Sequence, residues 1–168
     1  DSKFAEEYAL QNRVLMLERI EVILSIFTSC GEFDWDALIN CNHNHVEWNQ
    51  KLQGYIHRKG ATHAEEGMYG VIPGNMRDGS FIVRGLGNAD SLYSSSHGAG
   101  RVLGRKKAKE TLSVDEFRDT MKGIVANASK STLDESPMAY KDIFDVMRLQ
   151  SELVETIAYV KPILNVKG

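Results

Sequence analysis

The stretch SSSHGAGRVLGR, Ser94 to Arg105, carries the clearest reactive pattern in the chain. The imidazole of His97 is followed by Gly98, Ala99 and Gly100, which have almost no side-chain bulk. A large ligand can therefore approach the ring closely. Arg101 and Arg105 stand four apart and would share one face of a helix. With Lys106, Lys107 and Lys109 they form the main basic cluster. A histidine next to arginines suited to phosphate points to phosphoryl or nucleotidyl chemistry. The plain structural alternative is a polar loop leading into a solvated basic helix.

Three other stretches carry candidate chemistry. In NCNHNHVE, Asn40 to Glu47, residues Asn42, His43, Asn44 and His45 alternate at strand spacing. If the segment is extended, His43 and His45 share one face, and Asn42 and Asn44 the other. Imidazoles suit zinc, manganese or iron ions, and asparagine can hydrogen-bond phosphate oxygens. A polar strand end at the surface would read the same way, and no carboxylate set is evident in the chain to complete a metal site. In HRKGATHAEEG, His57 to Gly67, Arg58 and Lys59 precede a glycine turn whose backbone N–H groups could meet an anion. An exposed basic turn explains that stretch equally, with His63, Glu65 and Glu66 simply solvated. In VIPGNMRDGSFIVRG, Val71 to Gly85, a turn at Pro73-Gly74 leads through Gly79 to Ser80, whose hydroxyl could face a ligand. The alternative is a tight hairpin.

The elements that must position these groups follow from periodicity. Tyr8, Leu15, Ile23 and Phe27 predict a helix over about residues 2–28, broken at Gly31. Short apolar runs between Leu38 and Gly85 (ALINC, YIH, YGVIPG, SFIVRG), separated by Gly-containing turns, predict strands. Residues 85–100 read as a loop, and a short basic helix is expected from about Gly100. Ser113 with Glu116 three later forms a capping-box pattern for a further helix. DESPMAYKDIFDVMRLQSELVETIAYV reads as a turn and then a long amphipathic helix, with Pro137 in its first turn or in that of a short preceding helix. KPILNVKG reads as a terminal strand or tail. The fold class expected is α+β: a mixed, mainly antiparallel sheet with flanking helices at both ends.

Composition sets outer bounds. A chain of 168 residues predicts one domain, and its 42% apolar and 26% charged residues are ordinary for a globular protein. A formal net charge of −3 argues against a generally basic nucleic-acid coat, but leaves room for a local basic patch. No apolar run approaches the roughly 20 residues of a membrane span. The opening DSKFAEEYAL is acidic and amphipathic, unlike a signal peptide. Two cysteines without a CxxC pairing predict no disulfide framework, and a cytoplasmic location is expected. The abrupt start and end suggest a piece of a longer protein.

Taken together, YALQNR, INCNHNHVE, HRKGAT, GVIPGNM, SFIVRGLGN, SSSHGAGR, SPMAYKDIFDVM and the terminal VKG resemble the C-terminal part of the RtcB family of RNA ligases, closest to its bacterial form. The resemblance covers residues 1–168, with the N-terminal part of the family fold absent. It implies joining of RNA 2′,3′-cyclic phosphate or 3′-phosphate ends to 5′-hydroxyl ends, in RNA repair or tRNA splicing. It also implies GTP and manganese as cofactors. By position, His97 is similar to the histidine that takes GMP, and His43 to a manganese ligand. Asn44 matches a GTP-phosphate contact, Ser80 and Lys167 contacts at the guanine end, and Gly98, Ala99 and Gly100 the loop beside the nucleotide. Lys59, Arg101 and Arg105 match basic positions associated with activity or RNA-phosphate binding. The family's remaining metal ligands lie upstream of Asp1, so this chain alone is expected to be incomplete. Asn75, Arg77 and Gly104 depart from the family pattern and suggest a divergent paralogue. A non-catalytic module that binds nucleotide or RNA ends is the competing expectation.

Overall fold

The computed structural model describes residues 2–29, 31–42 and 44–166. His43 and Lys167, two of the expected site residues, lie outside the described residues. The chain falls into two compact units, residues 1–62 and 63–168. The architecture is α+β, as the alternating patterns predicted, with several small sheets in place of one continuous sheet. Among the described residues no helix is long and apolar enough to cross a membrane.

In the first unit, helix α1 spans Ser2–Phe27. Strands β1 (Asn44–Asn49) and β2 (Gly54–Lys59) form an antiparallel hairpin in which Asn44 faces Lys59 and His45 faces Arg58. The edge-on pair Trp48 and Tyr55, 5.2 Å between centroids, adds cross-strand contact. Polar side chains join helix and hairpin. The Glu6 carboxylate accepts from the Val46 N–H at 3.1 Å, and Arg13 donates to the amide oxygens of Asn40 and Asn42 at 2.6 and 2.9 Å. The expected strand at ALINC is absent: residues 38–42 are irregular, and their asparagines anchor Arg13 instead.

Strand β3 (Ala61–His63) contains the boundary between the units. Beyond it, β4 (Tyr69–Pro73), β5 (Ser80–Gly85) and β8 (Val154–Val160) form an antiparallel sheet in the order β4-β5-β8. The short β6 (Ser94–Ser96) lies within the segment expected to be loop. Alternation decides which side chains are buried. Ile72, Phe81, Val83 and Val154 turn inward onto Ile143 and Met147 of helix α4 (Ile143–Leu149). Phe81, Phe144 and Tyr159 form a ring cluster with centroids 4.9–5.7 Å apart.

The long C-terminal helix is not formed. Pro137–Ala139 is a single 3-10 turn, α4 is only seven residues, and residues 154–160 are strand β8. Leu149, Leu153, Ile157 and Val160 do satisfy a helical period. The segment is also rich in β-branched residues, and β5 offers it a pairing edge from Ser80↔Val160 to Gly85↔Val154. The last part of the expected helix is therefore strand. Short strands β7 (Val125–Ala126) and β9 (Leu164–Asn165) pair in parallel.

The basic helix α2 begins at Arg105, not near Gly100, and runs to Thr111. Gly100 has left-handed backbone at φ 72°, Arg101 forms a β-bridge with Tyr140 and residues 102–103 bend, so the segment stays out of the helix. Helix α3 (Val114–Thr120) starts where the capping pattern predicted, with the Ser113 hydroxyl accepting from the Glu116 N–H at 3.4 Å. Its Phe117 packs with Met76, Met121 and Leu133 in a second core cluster.

Two glycines give opposite tests. Gly79 has φ +76°, and a Cβ there would sit 2.2 Å from the Val160 carbonyl oxygen. Gly79→Ala is expected to destabilise the chain by at least about 2 kcal/mol, combining left-handed backbone cost with displacement of β8. Gly104 occupies the cap position of α2 with extended backbone and open space around its Cβ. Gly104→Ser is expected to stabilise by a few tenths of a kcal/mol through a new cap. Urea midpoints at constant slope measure both.

Candidate functional site

The turn between β4 and β5 makes one wall of a cleft. Gly74 N–H donates to Gly79 O at 2.8 Å, closing the hairpin. Asn75 fills the turn: its side-chain oxygen accepts from the N–H groups of Arg77 and Asp78 at 3.0 Å each, and its amide donates to Asp78 at 2.8 Å. The Arg77 guanidinium binds Asp78 with two hydrogen bonds, at 2.6 and 3.0 Å. Burial would raise the Asp78 pKa, but the bonds from Arg77 and Asn75 win and hold it below the ordinary value. Ser80 opens β5 directly after this turn.

The histidine loop is pinned to the end of β4. The Ala99 N–H donates to Pro73 O at 3.0 Å, and a Cβ on Gly98 would meet that same oxygen at 3.0 Å. A side chain at 98 would press on that oxygen and shift it by a few tenths of an ångström, so the close approach favours glycine. On the other side, the Ser96 N–H donates to the buried Gln150 side chain at 3.0 Å. His97 is held half-buried between these anchors.

Ser80, His97, Gly98, Ala99, Gly100, Arg101 and Arg105 all line one cleft of about 630 Å³ in the second unit. That volume lies within the range of small-molecule sites. Asn75, Glu135, Tyr140 and Asn165 also line it. Sequence reasoning passed over the last three. The signal for Glu135 and Tyr140 was the acidic pair Asp134-Glu135 close ahead of the tyrosine, in a segment read only as a turn and a helix; Asn165 lies in KPILNVKG, read only as a strand or tail.

Arg101 is engaged through all three of its guanidinium nitrogens. It donates to Leu103 O at 3.1 Å, to Glu135 at 3.3 Å, to the Tyr140 hydroxyl at 2.9 Å and to Asp134 O. Its guanidinium carbon also lies 4.8 Å from the Tyr140 ring centre. The Tyr140 hydroxyl in turn donates to Glu135 at 2.7 Å. Arg105 is different: its side chain is 76% exposed and stands 3.9 Å from both Asp134 and Glu135.

Asn44 and Lys59, the expected site residues of the first unit that are described, are cross-strand partners and both exposed. Asn44 lines a separate cleft with Glu6, Arg13, Asn42, His45 and His57. Asn44 and Val46 face outward and His45 inward, following strand alternation. The basic pair at Arg58-Lys59 divides likewise. Lys59 is exposed, whereas Arg58 is buried, ion-paired with Glu47 and 3.4 Å from the His45 ring.

The family model for tRNA-splicing ligase RtcB matches residues 1–168. The RNA-splicing ligase RtcB of Escherichia coli strain K12 is 43% identical over 98% of this chain and 42% of its own length. The tRNA-splicing ligase RtcB of Methanococcus maripaludis is 34% identical over 96% of this chain and 40% of its own length. The RNA-splicing ligase RtcB of Mycobacterium tuberculosis is 30% identical over 98% and 43%. The chain spans about two fifths of the length of these curated relatives.

Burial, then the hydrogen bond to Glu135 and its negative charge, push the Tyr140 hydroxyl up to about 12. A raised folded-state pKa means that this contribution to stability is complete below the ordinary value near 10. It is lost as pH rises through about 12. Glu135→Gln is expected to return Tyr140 toward the ordinary value. Ultraviolet titration of tyrosinate, with Tyr140→Phe identifying the late component, measures the change.

Proposed function

This chain belongs to the RtcB family, and from that premise we propose that the protein carrying it joins RNA 2′,3′-cyclic phosphate or 3′-phosphate ends to 5′-hydroxyl ends with GTP. The observation that carries the reading is the single cleft shared by His97, Ser80, the small-residue loop and two arginines. His97 is the nucleophile. A ring nitrogen attacks the α-phosphorus of GTP, an N–P bond forms, and pyrophosphate leaves with the broken P–O bond. The RNA 3′-phosphate then takes the GMP from His97. The 5′-hydroxyl oxygen finally attacks the activated 3′-phosphorus, forming the phosphodiester and releasing GMP.

The assignments follow the cleft. Gly98, Ala99 and Gly100 leave room for the nucleotide beside the imidazole, and Ser80 at the start of β5 offers a hydroxyl at the guanine end. Lys167 is assigned the same end. Arg105 is assigned to contact phosphate, Arg101 to lend positive charge there while its donors hold the loop, and Asn44 and Lys59 on the β1–β2 hairpin to phosphate as well.

Manganese is assigned to His43. One imidazole is too few donors for a divalent ion of this kind. Asn42, the described residue beside it, already gives its oxygen to Arg13. The residues assigned here do not by themselves make a metal site, and no step above is routed through the ion.

Intact-mass measurement tests the reading. The whole protein, given GTP and manganese, is expected to gain one GMP, and His97→Ala to reduce the gain at least about a thousandfold. Residues 1–168 alone are expected to gain none. Labelling of that chain, lost in His97→Ala, would show its metal site to be complete after all. Absence of GMP on the whole protein, with binding to RNA ends intact, would favour the non-catalytic module.

A further inference from the structure

The two arginines of the cleft are in different states. Arg101 spends its donors on four protein acceptors, three of them 33–39 residues downstream. Arg105 makes no hydrogen bond among the described residues. Its guanidinium lies 3.9 Å from Asp134 Oδ2 and 3.9 Å from Glu135 Oε1, outside hydrogen-bond range yet close enough for attraction. It therefore keeps all its donors for another acceptor.

The two carboxylates are themselves fixed. Asp134 is 8% exposed, accepts from Lys109 at 3.1 Å and belongs to the 3-10 turn Leu133–Glu135, whose Leu133 is a core residue. Glu135 is held by Arg101 and Tyr140. An exposed cation thus rests against an anchored acidic pair beside a cleft suited to phosphate.

We propose that Asp134 and Glu135 form an acidic latch that holds Arg105 at rest and yields it to a phosphate entering the cleft, while Arg101 stays locked as a positioning residue. A phosphate offers Arg105 short, charge-assisted and bidentate hydrogen bonds, which the latch at 3.9 Å does not. The latch lowers resting affinity equally for every anion that takes Arg105, and leaves unaffected those that do not use it. This rests on the ligase reading only for the choice of an RNA phosphate as the anion.

The test uses the whole protein and a single-stranded RNA ending in a 3′-phosphate, compared with the same RNA ending in a 3′-hydroxyl. Binding is read by fluorescence anisotropy without GTP or manganese, so the outcome is separate from GMP transfer to His97. Asp134→Asn is expected to tighten binding of the 3′-phosphate RNA about two- to fivefold, the range of an exposed ion pair. In an Arg105→Ala background most of that gain should vanish. Arg105→Ala itself should reduce the salt slope by about 0.7. A merely structural Asp134 would give unchanged or weaker binding, and that result overturns the proposal, as does a gain kept in full without Arg105.

Circular dichroism checks that each variant folds. Should Asp134→Asn fail, the unaltered chain decides: the Arg105 Nε–H resonance should move on adding the 3′-phosphate RNA while that of Arg101 stays. Movement of Arg101 with Arg105 unmoved overturns the latch.

Discussion

The geometry of the second unit depends on the Arg101 guanidinium. It reaches the backbone of Asp134, the Glu135 carboxylate and the Tyr140 hydroxyl at once, while its own backbone bridges to Tyr140. The Val102 N–H donates to Ala139 O at 2.9 Å, and the Lys141 N–H to Gly100 O at 3.0 Å, on either side of that bridge. The exit of the histidine loop is thereby fastened to a segment far along the chain. A planar fork of donors can satisfy these acceptors together, and an ammonium on a flexible stem cannot. The acceptors also compensate Arg101 for partial loss of water, which an unpaired charge could not tolerate.

The entrance of the loop is fastened by a different means. Arg101 acts through charge and reach, whereas Gly98 acts by lacking a side chain, so that the chain can lie against the Pro73 carbonyl. Pro73 in turn closes the β4 side of the hairpin whose turn is organised by Asn75 and closed at Gly79. His97 therefore stands between a close backbone contact and an ionic clamp, both outside the imidazole itself. Tyr159 ties the two layers together, since its ring lies in the aromatic cluster and its hydroxyl donates to Asp78 O at 2.8 Å.

Much of this was legible in the sequence. The His97 loop, the Pro73-Gly74 turn and the cap at Ser113 each announce themselves through local chemistry, because small residues, turn formers and capping hydroxyls act over a few positions. Strand β8 was not legible. Its apolar residues satisfy a helical period, and only the pairing edge of β5, some 70 positions earlier, makes extension the better solution. The start of α2 was displaced for a like reason, since the bridge of Arg101 to Tyr140 outcompetes an earlier helical turn. The burial of Arg58 was equally hidden, because its partner Glu47 lies on the neighbouring strand. The acidic side of the cleft escaped notice because Asp134 and Glu135 gain meaning only once folding sets them opposite Arg101 and Arg105.

Charge balance finally limits what this cleft can do unaided. Among the described residues, Arg101, Arg105 and Lys109 face Asp134 and Glu135, three cations against two anions. Lys109 already hydrogen-bonds Asp134 and helps to hold its carboxyl below the ordinary value, against the burial that would raise it. A nucleoside triphosphate brings several negative charges, and transfer of its phosphoryl or nucleotidyl group needs them stabilised as charge moves to the leaving group. One surplus cation can attract such a ligand but cannot neutralise it. In the proposed reaction the cleft serves to place the nucleotide against the imidazole. In that reaction further positive charge is supplied from beyond these described residues, by a metal ion or by sequence that the relatives carry outside the two fifths matched here.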